Sequence, residues 1–105
     1  MDTFTALADP TRRQIIESLA LQETSFGALA ERFEMSRPAV SQHLKVLREA
    51  GIVVSRSEGQ RRIYRLTDSS LDEFDDWLRK VRSFWSQSLD RLEEVLGNHD
   101  EGEDR

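Results

Sequence analysis

Residues 36–51, SRPAVSQHLKVLREAG, decide the fold of this chain. Ser36 offers a side-chain oxygen of the kind that caps helix N-termini, and Pro38 falls in the first turn, where a missing N–H costs nothing. Gly51 can adopt the left-handed conformation that closes a helix. Three apolar residues recur at helical spacing and share one face: Val40, Leu44 and Leu47. The stretch therefore predicts a helix with one narrow buried stripe.

The opposite face of this helix is polar, and its side chains are mostly short. At about 100° per residue, this face and its two flanking arginines comprise Arg37, Pro38, Ser41, Gln42, Lys45, Arg48 and Glu49. A helix with donors and acceptors along its outer face suits insertion into the DNA major groove. The pattern makes it a candidate recognition helix.

The side chains of this face allow more than one interpretation. Ser41 and Gln42 are either solvated helix positions or contacts to base edges; the basic hairpin that follows favours base contact, for which Gln prefers adenine N6 and N7. Lys45 and Arg37 are predicted to contact phosphates, since most protein–DNA hydrogen bonds go to the backbone. His43 lies between the two faces, where a packed, hydrogen-bonded side chain and a DNA contact both fit the pattern.

Two helices are predicted ahead of the recognition helix, after a short apolar turn over residues 3–8. The Asp-Pro pair at 9–10 starts the first, on which Arg12 and Arg13 are either phosphate contacts or surface charges. A hydroxyl at position 24 or 25 caps the second. Their inward stripes are Ile15, Ile16 and Leu19, then Phe26, Leu29, Ala30 and Phe33. Two short helices joined by a brief turn, the second with a polar outer face, predict a helix-turn-helix.

A two-stranded hairpin is predicted to follow the recognition helix. Residues 52–54 and 63–66 are β-branched and aromatic, and a Glu-Gly pair at 58–59 supplies the turn. Three arginines cluster around the hairpin tip: Arg56, Arg61 and Arg62. A basic hairpin in this position indicates a wing that follows the DNA backbone or enters a minor groove, although such charges also serve solubility on exposed hairpins.

The chain then predicts one long helix up to about Leu96, capped within residues 68–70 and closed at 97–98. Its apolar residues lie mostly three and four apart, and a helix of this length spans roughly 40 Å, more than a small winged domain covers. The uncovered half would be an exposed apolar patch, which a second copy can bury. The predicted dimer interface comprises Phe4, Leu7, Trp77, Val81, Trp85, Leu89, Leu92 and Leu96. An aromatic ligand pocket around Trp77, Phe84 and Trp85 is the less favoured alternative, because dimer cores are enriched in aromatics.

Composition and charge limit the class of protein. The 105 residues predict one domain, at 1–97, followed by a disordered acidic tail at 98–105. The net charge is −5, but residues 37–65 carry seven cations against two acids, whereas residues 68–105 carry five against twelve. A basic middle and an acidic end are typical of a nucleic-acid-binding face and a face kept away from it. With no apolar run long enough for a bilayer and no leader pattern, we expect a cytoplasmic protein.

The sequence resembles the ArsR-type family of bacterial winged-helix repressors. The likeness is carried by ALADPTRRQIIESL (6–19), SRPAVSQHLKVLREAGIV (36–53) and EGQRRIYRL (58–66). It implies a mainly α chain with a small β-hairpin: a winged helix-turn-helix of four helices, two strands and a fifth helix, dimeric through the first and last helices. It also implies repression at a two-fold symmetric operator. The residues it places on DNA are Arg37, Pro38, Ser41, Gln42, His43 and Lys45 in the recognition helix and Arg56, Arg61 and Arg62 in the wing.

This chain differs from the metal-sensing members of the family in the residues that it offers to a metal ion. The chain has no cysteine, which excludes thiolate sensing, and the predicted last helix offers Asp72, Asp75 and Asp76 but no histidine. We therefore expect neither a metal nor a cofactor. The predicted function is sequence-specific repression by a homodimer, with autoregulation as one option and the effector left open between a small molecule and a protein. A winged-helix protein-interaction module that does not read DNA is the alternative; no motif favours an enzyme.

Overall fold

The structure, a computed structural model, describes residues 2–99 as five helices and three strands. In chain order these are α1 (Thr3–Leu7), α2 (Pro10–Leu21), β1 (Thr24–Ser25), α3 (Phe26–Glu31), α4 (Arg37–Glu49), β2 (Val53–Glu58), β3 (Arg61–Leu66) and α5 (Asp72–His99). The chain divides into two compact units, one up to Glu73 and one from Phe74 onward. The mainly helical winged helix-turn-helix predicted from the sequence is confirmed.

Each helix of the first unit begins at a side-chain cap. The Asp9 carboxylate accepts hydrogen bonds from the backbone N–H groups of Thr11 at 2.7 Å and Arg12 at 3.2 Å. Ser36 Oγ accepts from the N–H of Ala39 at 3.2 Å, and Ser25 and Asp2 cap α3 and α1 in the same way. The caps at Asp9 and Ser36 confirm the start signals; the cap at Asp2 makes residues 3–7 a helix where the sequence indicated only a turn.

The core of the first unit is built from the predicted apolar stripes. The helices contribute Ile15, Ile16, Leu19, Leu29, Ala30, Val40, Leu44, Val46 and Leu47, and the segment after α4 contributes Ile52, Val53, Ile63 and Tyr64. Leu44 and Leu47 have no exposed surface at all, so α4 is fixed in its rotation about its own axis. Buried Val46 lies outside the predicted stripe and widens it.

The hairpin belongs to a three-stranded antiparallel sheet of order β1-β3-β2. Thr24 pairs with Tyr64 and Ser25 with Ile63, so β1 adds an edge strand that the sequence did not predict. Two residues are too few to show the alternation by which a strand is recognised. The hairpin turn depends on Gly59, which has a φ of +64°.

The last helix differs from its prediction at both ends. It begins at Asp72, later than a cap within residues 68–70 predicts, and it runs through Gly97 to His99. The predicted stop at 97–98 is wrong because closure by glycine needs the left-handed conformation, which within residues 2–99 only Gly51 and Gly59 adopt. Residues 100–105 of the predicted acidic tail lie outside the described range. Within that range no helix is long and apolar enough to cross a membrane.

Candidate nucleic-acid interface

The outer face of α4 is exposed as predicted. Ser41, Gln42 and Lys45 point away from the buried stripe, and the Ser36 cap and Pro38 fix the start of the helix beneath them. Because the buried stripe is tightly packed, α4 cannot rotate about its own axis, and the directions of these three side chains are fixed. The helix therefore offers a short polar row of the kind that reads base edges.

A groove of about 630 Å³ separates α4 from the hairpin. Its lining comprises Ser25, Phe26, Gly27, Arg37, Ser41, Lys45, Arg48, Gln60, Arg61, Arg62 and Tyr64. Five of these residues are cations, and no acidic residue is among those that line it. Such a concentration of one sign of charge attracts a polyanion even on a chain of net negative charge. Arg48 and Gln60 also line the groove, although their sequence pattern predicted no DNA contact for them.

Arg37 is held at one end of the groove by an aromatic side chain. Its guanidinium carbon lies 5.8 Å from the centroid of the Phe26 ring, a cation–π contact between α4 and the start of α3. The contact restricts the side chain before any ligand arrives. Arg37 is thus positioned at the N-terminal end of α4, where a phosphate is also favoured by the helix dipole.

The wing arginines fall into two environments. Arg62 is directly opposite Ser57 in the register, on the sheet face that carries Tyr64, and it lines the groove together with Arg61. Arg56 and Arg61 lie on the other face by the same register, and Arg61, at the start of β3, borders both the groove and the pocket beside Arg56. The predicted wing cations are therefore split by the alternation of the strands.

Arg56 is occupied by two carboxylates. Its Nη1 and Nη2 donate to Glu23 at 3.1 and 2.5 Å, and its Nε and Nη2 donate to Glu58 at 3.3 and 3.1 Å. The hydrogen bond to Glu23 is the main reason that the pKa of Arg56 is raised, and the same bond lowers the pKa of Glu23. These bonds tie β2 to the segment ahead of β1. The predicted DNA contact of Arg56 stays a prediction, but all three of its guanidinium nitrogens already have protein acceptors.

His43 and the two arginines of α2 form a junction that the sequence did not reveal. Arg12 donates from Nε to the carbonyl oxygen of Ala6 at 2.8 Å and from Nη2 to that of Thr5 at 3.1 Å, and its Nη1 lies 3.4 Å from His43 Nδ1. Arg13 donates to the carbonyl oxygen of Leu7 at 2.6 Å. Both arginines therefore donate to carbonyl oxygens at the C-terminal end of α1, and half-buried His43 has a protein partner.

The predicted dimer residues are distributed over both units. In the second unit the exposed fractions are 46% for Trp77, 39% for Val81, 64% for Trp85, 47% for Leu89, 53% for Leu92 and 50% for Leu96. In the first unit Phe4 is 37% exposed, whereas Leu7 is half-buried and packs against the core. In the part of the chain that the structure describes, no three His, Cys, Asp or Glu residues lie close enough to hold a metal ion.

Comparison with known proteins gives one consistent family. Residues 9–55 match the pattern described as "Bacterial regulatory protein, arsR family". The chain is 42% identical to the HTH-type transcriptional regulator Rv2034 of Mycobacterium tuberculosis over 94% of its own length and 88% of that protein's. It is 34% identical to the transcriptional repressor SdpR of Bacillus subtilis, covering 73% of this chain and 86% of the relative.

The fold has the same neighbours. A solved structure described as a possible transcriptional regulator for arsenical resistance superimposes with a TM-score of 0.72 at 41% identity, covering 88% of this chain and 93% of the other. The likeness therefore extends beyond the helix-turn-helix to most of the described chain.

Proposed function

Because this chain belongs to the arsR family of bacterial regulatory proteins, we propose that it represses transcription by binding a specific DNA sequence as a homodimer. The observation that carries the proposal is the groove between α4 and the hairpin, which five cations line and no acidic residue does. The groove adjoins the exposed polar row of α4. Phosphate attraction and base reading therefore occur on one continuous surface.

Each part of this surface has a distinct task in the proposal. Helix α4 enters the major groove, where Gln42 and Ser41 meet base edges and Pro38 lies at the entering end. Arg37, Lys45 and Arg48 contact phosphates, which position the helix without carrying sequence information. Arg61 and Arg62 continue the backbone contacts from the wing.

His43 and Arg56 have weaker claims to a direct contact. His43 is half-buried and lies against Arg12, which favours the packed interpretation over the DNA contact. Arg56 would have to exchange its carboxylate partners for a phosphate. We propose that both residues support the surface rather than touch the nucleic acid.

Dimerisation is proposed from the apolar stripe of α5. Trp85, Leu89, Leu92 and Leu96 are each at least 47% exposed in the single chain, and side chains of this size on one helix face form the kind of patch that mediates association. A two-fold pair of chains would present two α4 helices to half-sites about one turn, roughly 34 Å, apart. Phe4 of α1 is exposed and completes the proposed set of contacts.

Selection of DNA fragments by the purified chain tests the proposal directly. We expect enrichment of a two-fold symmetric site, with an affinity that falls steeply as salt rises because several phosphate contacts release counterions. The double variant Gln42→Ala/Arg62→Ala should lose this binding. The matched control, Gln14→Ala/Arg82→Ala, changes the same residue types at exposed positions away from the groove and should keep it.

Two outcomes would overturn the proposal. Undiminished binding by the Gln42/Arg62 variant would remove the surface from the interaction with DNA. Failure to enrich any sequence from random duplexes at low salt would favour the alternative of a winged-helix module that binds another protein.

A further inference from the structure

Arg12 occupies the point at which α1, α2 and α4 meet. It belongs to α2, two of its nitrogens donate to the carbonyl oxygens of Thr5 and Ala6 in α1, and a third lies 3.4 Å from the His43 ring in α4. Arg13, the next residue along α2, reaches only the carbonyl oxygen of Leu7. Within the described residues, Arg12 rather than Arg13 contacts the recognition helix.

The chemistry of the contact sets a condition on His43. A guanidinium has only donors, so it can hydrogen-bond Nδ1 only when that nitrogen carries a lone pair. A hydrogen bond between the two side chains therefore requires the neutral tautomer of the ring, with its proton on Nε2. The other charged group that the structure places near the ring is the Asp9 carboxylate, which caps α2 through the N–H groups of Thr11 and Arg12.

The position of His43 in α4 gives the contact a consequence for DNA reading. His43 directly follows Gln42, which faces outward, and precedes Leu44, which is fully buried. A bond to its ring therefore restrains α4 at the boundary between the buried stripe and the polar row. Since the same guanidinium also donates to the carbonyls of Thr5 and Ala6, movement of α1 would be transmitted to this boundary.

We propose that Arg12 is a positioning residue that locks the recognition helix to α1 through neutral His43, so that operator affinity depends on it although it does not touch DNA. The proposal rests on the function proposed above. It predicts that the contact affects specific binding rather than phosphate attraction. It also links α1, which carries exposed Phe4, to the DNA-reading surface.

The experiment compares Arg12→Gln with Arg13→Gln in the full chain, by measuring affinity for the selected operator over a range of salt. Both variants lose one cation and weaken the carbonyl contacts of α1, but only Arg12→Gln removes the bond to α4. We expect Arg12→Gln to weaken operator binding about tenfold, the effect of one charged hydrogen bond, and Arg13→Gln by less than about twofold. The salt slope should be unchanged, whereas loss of a phosphate contact would lower it by about one.

Variants of His43 test the same bond from the other side. His43→Asn keeps an acceptor near the position of Nδ1 and should retain most of the affinity, whereas His43→Leu should lose as much as Arg12→Gln. In the double variant Arg12→Gln/His43→Leu the losses should not add, because both changes remove one bond. If Arg12→Gln fails to fold, the two His43 variants still give the comparison.

Nuclear magnetic resonance of the free protein supplies a readout that does not depend on DNA. We expect the nitrogen shifts of His43 to report an unprotonated Nδ1 and a protonated Nε2 at neutral pH, and to change in Arg12→Gln but not in Arg13→Gln. An Nδ1–H tautomer, additive losses in the double variant, or a lowered salt slope in Arg12→Gln would overturn the proposal. Wild-type protein that shows the expected tautomer but binds no DNA would instead overturn the proposed function.

Discussion

Helices α4 and α5 have the same kind of sequence pattern and opposite outcomes. Both carry apolar residues three and four apart opposite a polar face. In α4 the stripe is buried within its own chain, with Val40, Leu44 and Leu47 at 0% exposure. In α5 the corresponding residues remain exposed, and Trp85 is 64% accessible. The comparison shows that periodicity predicts a face that needs a partner, but it does not identify the partner.

The polar faces of the two helices differ as well. The outer face of α4 contributes cations to a groove that no acidic residue lines, so the positive charges add. On α5, Arg79 forms ion pairs with Asp75, four positions earlier, at 2.5 Å and with Asp76, three positions earlier, at 3.5 Å. Such exposed pairs neutralise each other and add little stability. Positive charge is therefore concentrated for a ligand on α4, whereas α5 carries more acidic residues than cations and pairs Arg79 with two of them.

The largest expected effect comes from shortening the same residue type on both helices. Leu44→Ala should reduce the free energy of unfolding by about 2–5 kcal/mol, because it opens a cavity in a close-packed core. Leu89→Ala should cost far less in dilute protein, where its side chain is already half exposed. Urea unfolding at low protein concentration measures both. Equal losses would show that α5 is buried in the single chain and would end the comparison.

The second effect concerns association. Trp85→Glu places a charge at the most exposed position of the apolar stripe and should weaken self-association by at least about 2 kcal/mol, roughly thirtyfold, without reducing the helical content. Sedimentation equilibrium with circular dichroism measures both quantities. Gln87→Glu adds the same charge two positions away and should associate as the wild type does. A Trp85→Glu protein that also associates normally would place the interface elsewhere.

The third effect separates cations that bind a ligand from cations that bind the protein. Arg62→Gln should lower the salt slope of operator binding by about one, since a phosphate contact is lost. Arg56→Gln should leave the slope unchanged because Glu23 and Glu58 already hold its guanidinium. Arg79→Gln on α5 serves as the control. A lower slope in Arg56→Gln would mean that this side chain exchanges its carboxylates for DNA.

The smallest effect is the acid dependence of a helix cap. Burial opposes ionisation of Asp9, but hydrogen bonds from the N–H groups of Arg12 and Thr11 outweigh it and lower the pKa of the carboxyl. A carboxyl with a lowered pKa stabilises the fold above its unfolded-state pKa, and this contribution is lost as the pH falls through the folded value.

Asp9→Asn keeps a capping oxygen without the charge. Urea unfolding at pH 7 and pH 3 should therefore show a smaller decrease in the free energy of unfolding on acidification for Asp9→Asn than for the wild type. Asp75→Asn on α5, whose partner is an exposed side chain, is the comparison. If Asp9→Asn lost as much stability between pH 7 and pH 3 as the wild type does, the Asp9 cap would not be a source of the acid dependence.

The local signals of the sequence predicted the first unit well. Asp9 and Ser36 capped the helices that they were expected to cap, and the polar row of α4 is exposed where helical geometry put it. These features depend on residues within a few positions of each other, so the sequence contains them directly. The signals failed at β1, where a longer-range pairing with β3 decided the result, and at Gly97, which continues the helix.

The candidate site was predicted only in part. Strand alternation and helical spacing predicted the positions of groove cations such as Arg62 and Lys45, because these positions follow from secondary structure alone. Neither rule could assign Arg56 to Glu23, which is 33 positions away, or Arg12 to His43, which is 31 positions away. Those pairings exist only once the elements have packed.

The sequence by itself determined most of the elements, the basic middle of the chain and the outer face of α4, since caps, periodicity and charge are local properties. Only the tertiary structure decided which cations line the groove and which bind acceptors of the protein. It gathered Arg37, Lys45, Arg48, Arg61 and Arg62 along one groove and gave Arg12 and Arg56 to acceptors of the protein itself. The physical reason is that a guanidinium binds the acceptor that folding brings nearest, and folding joins positions that the linear sequence keeps apart.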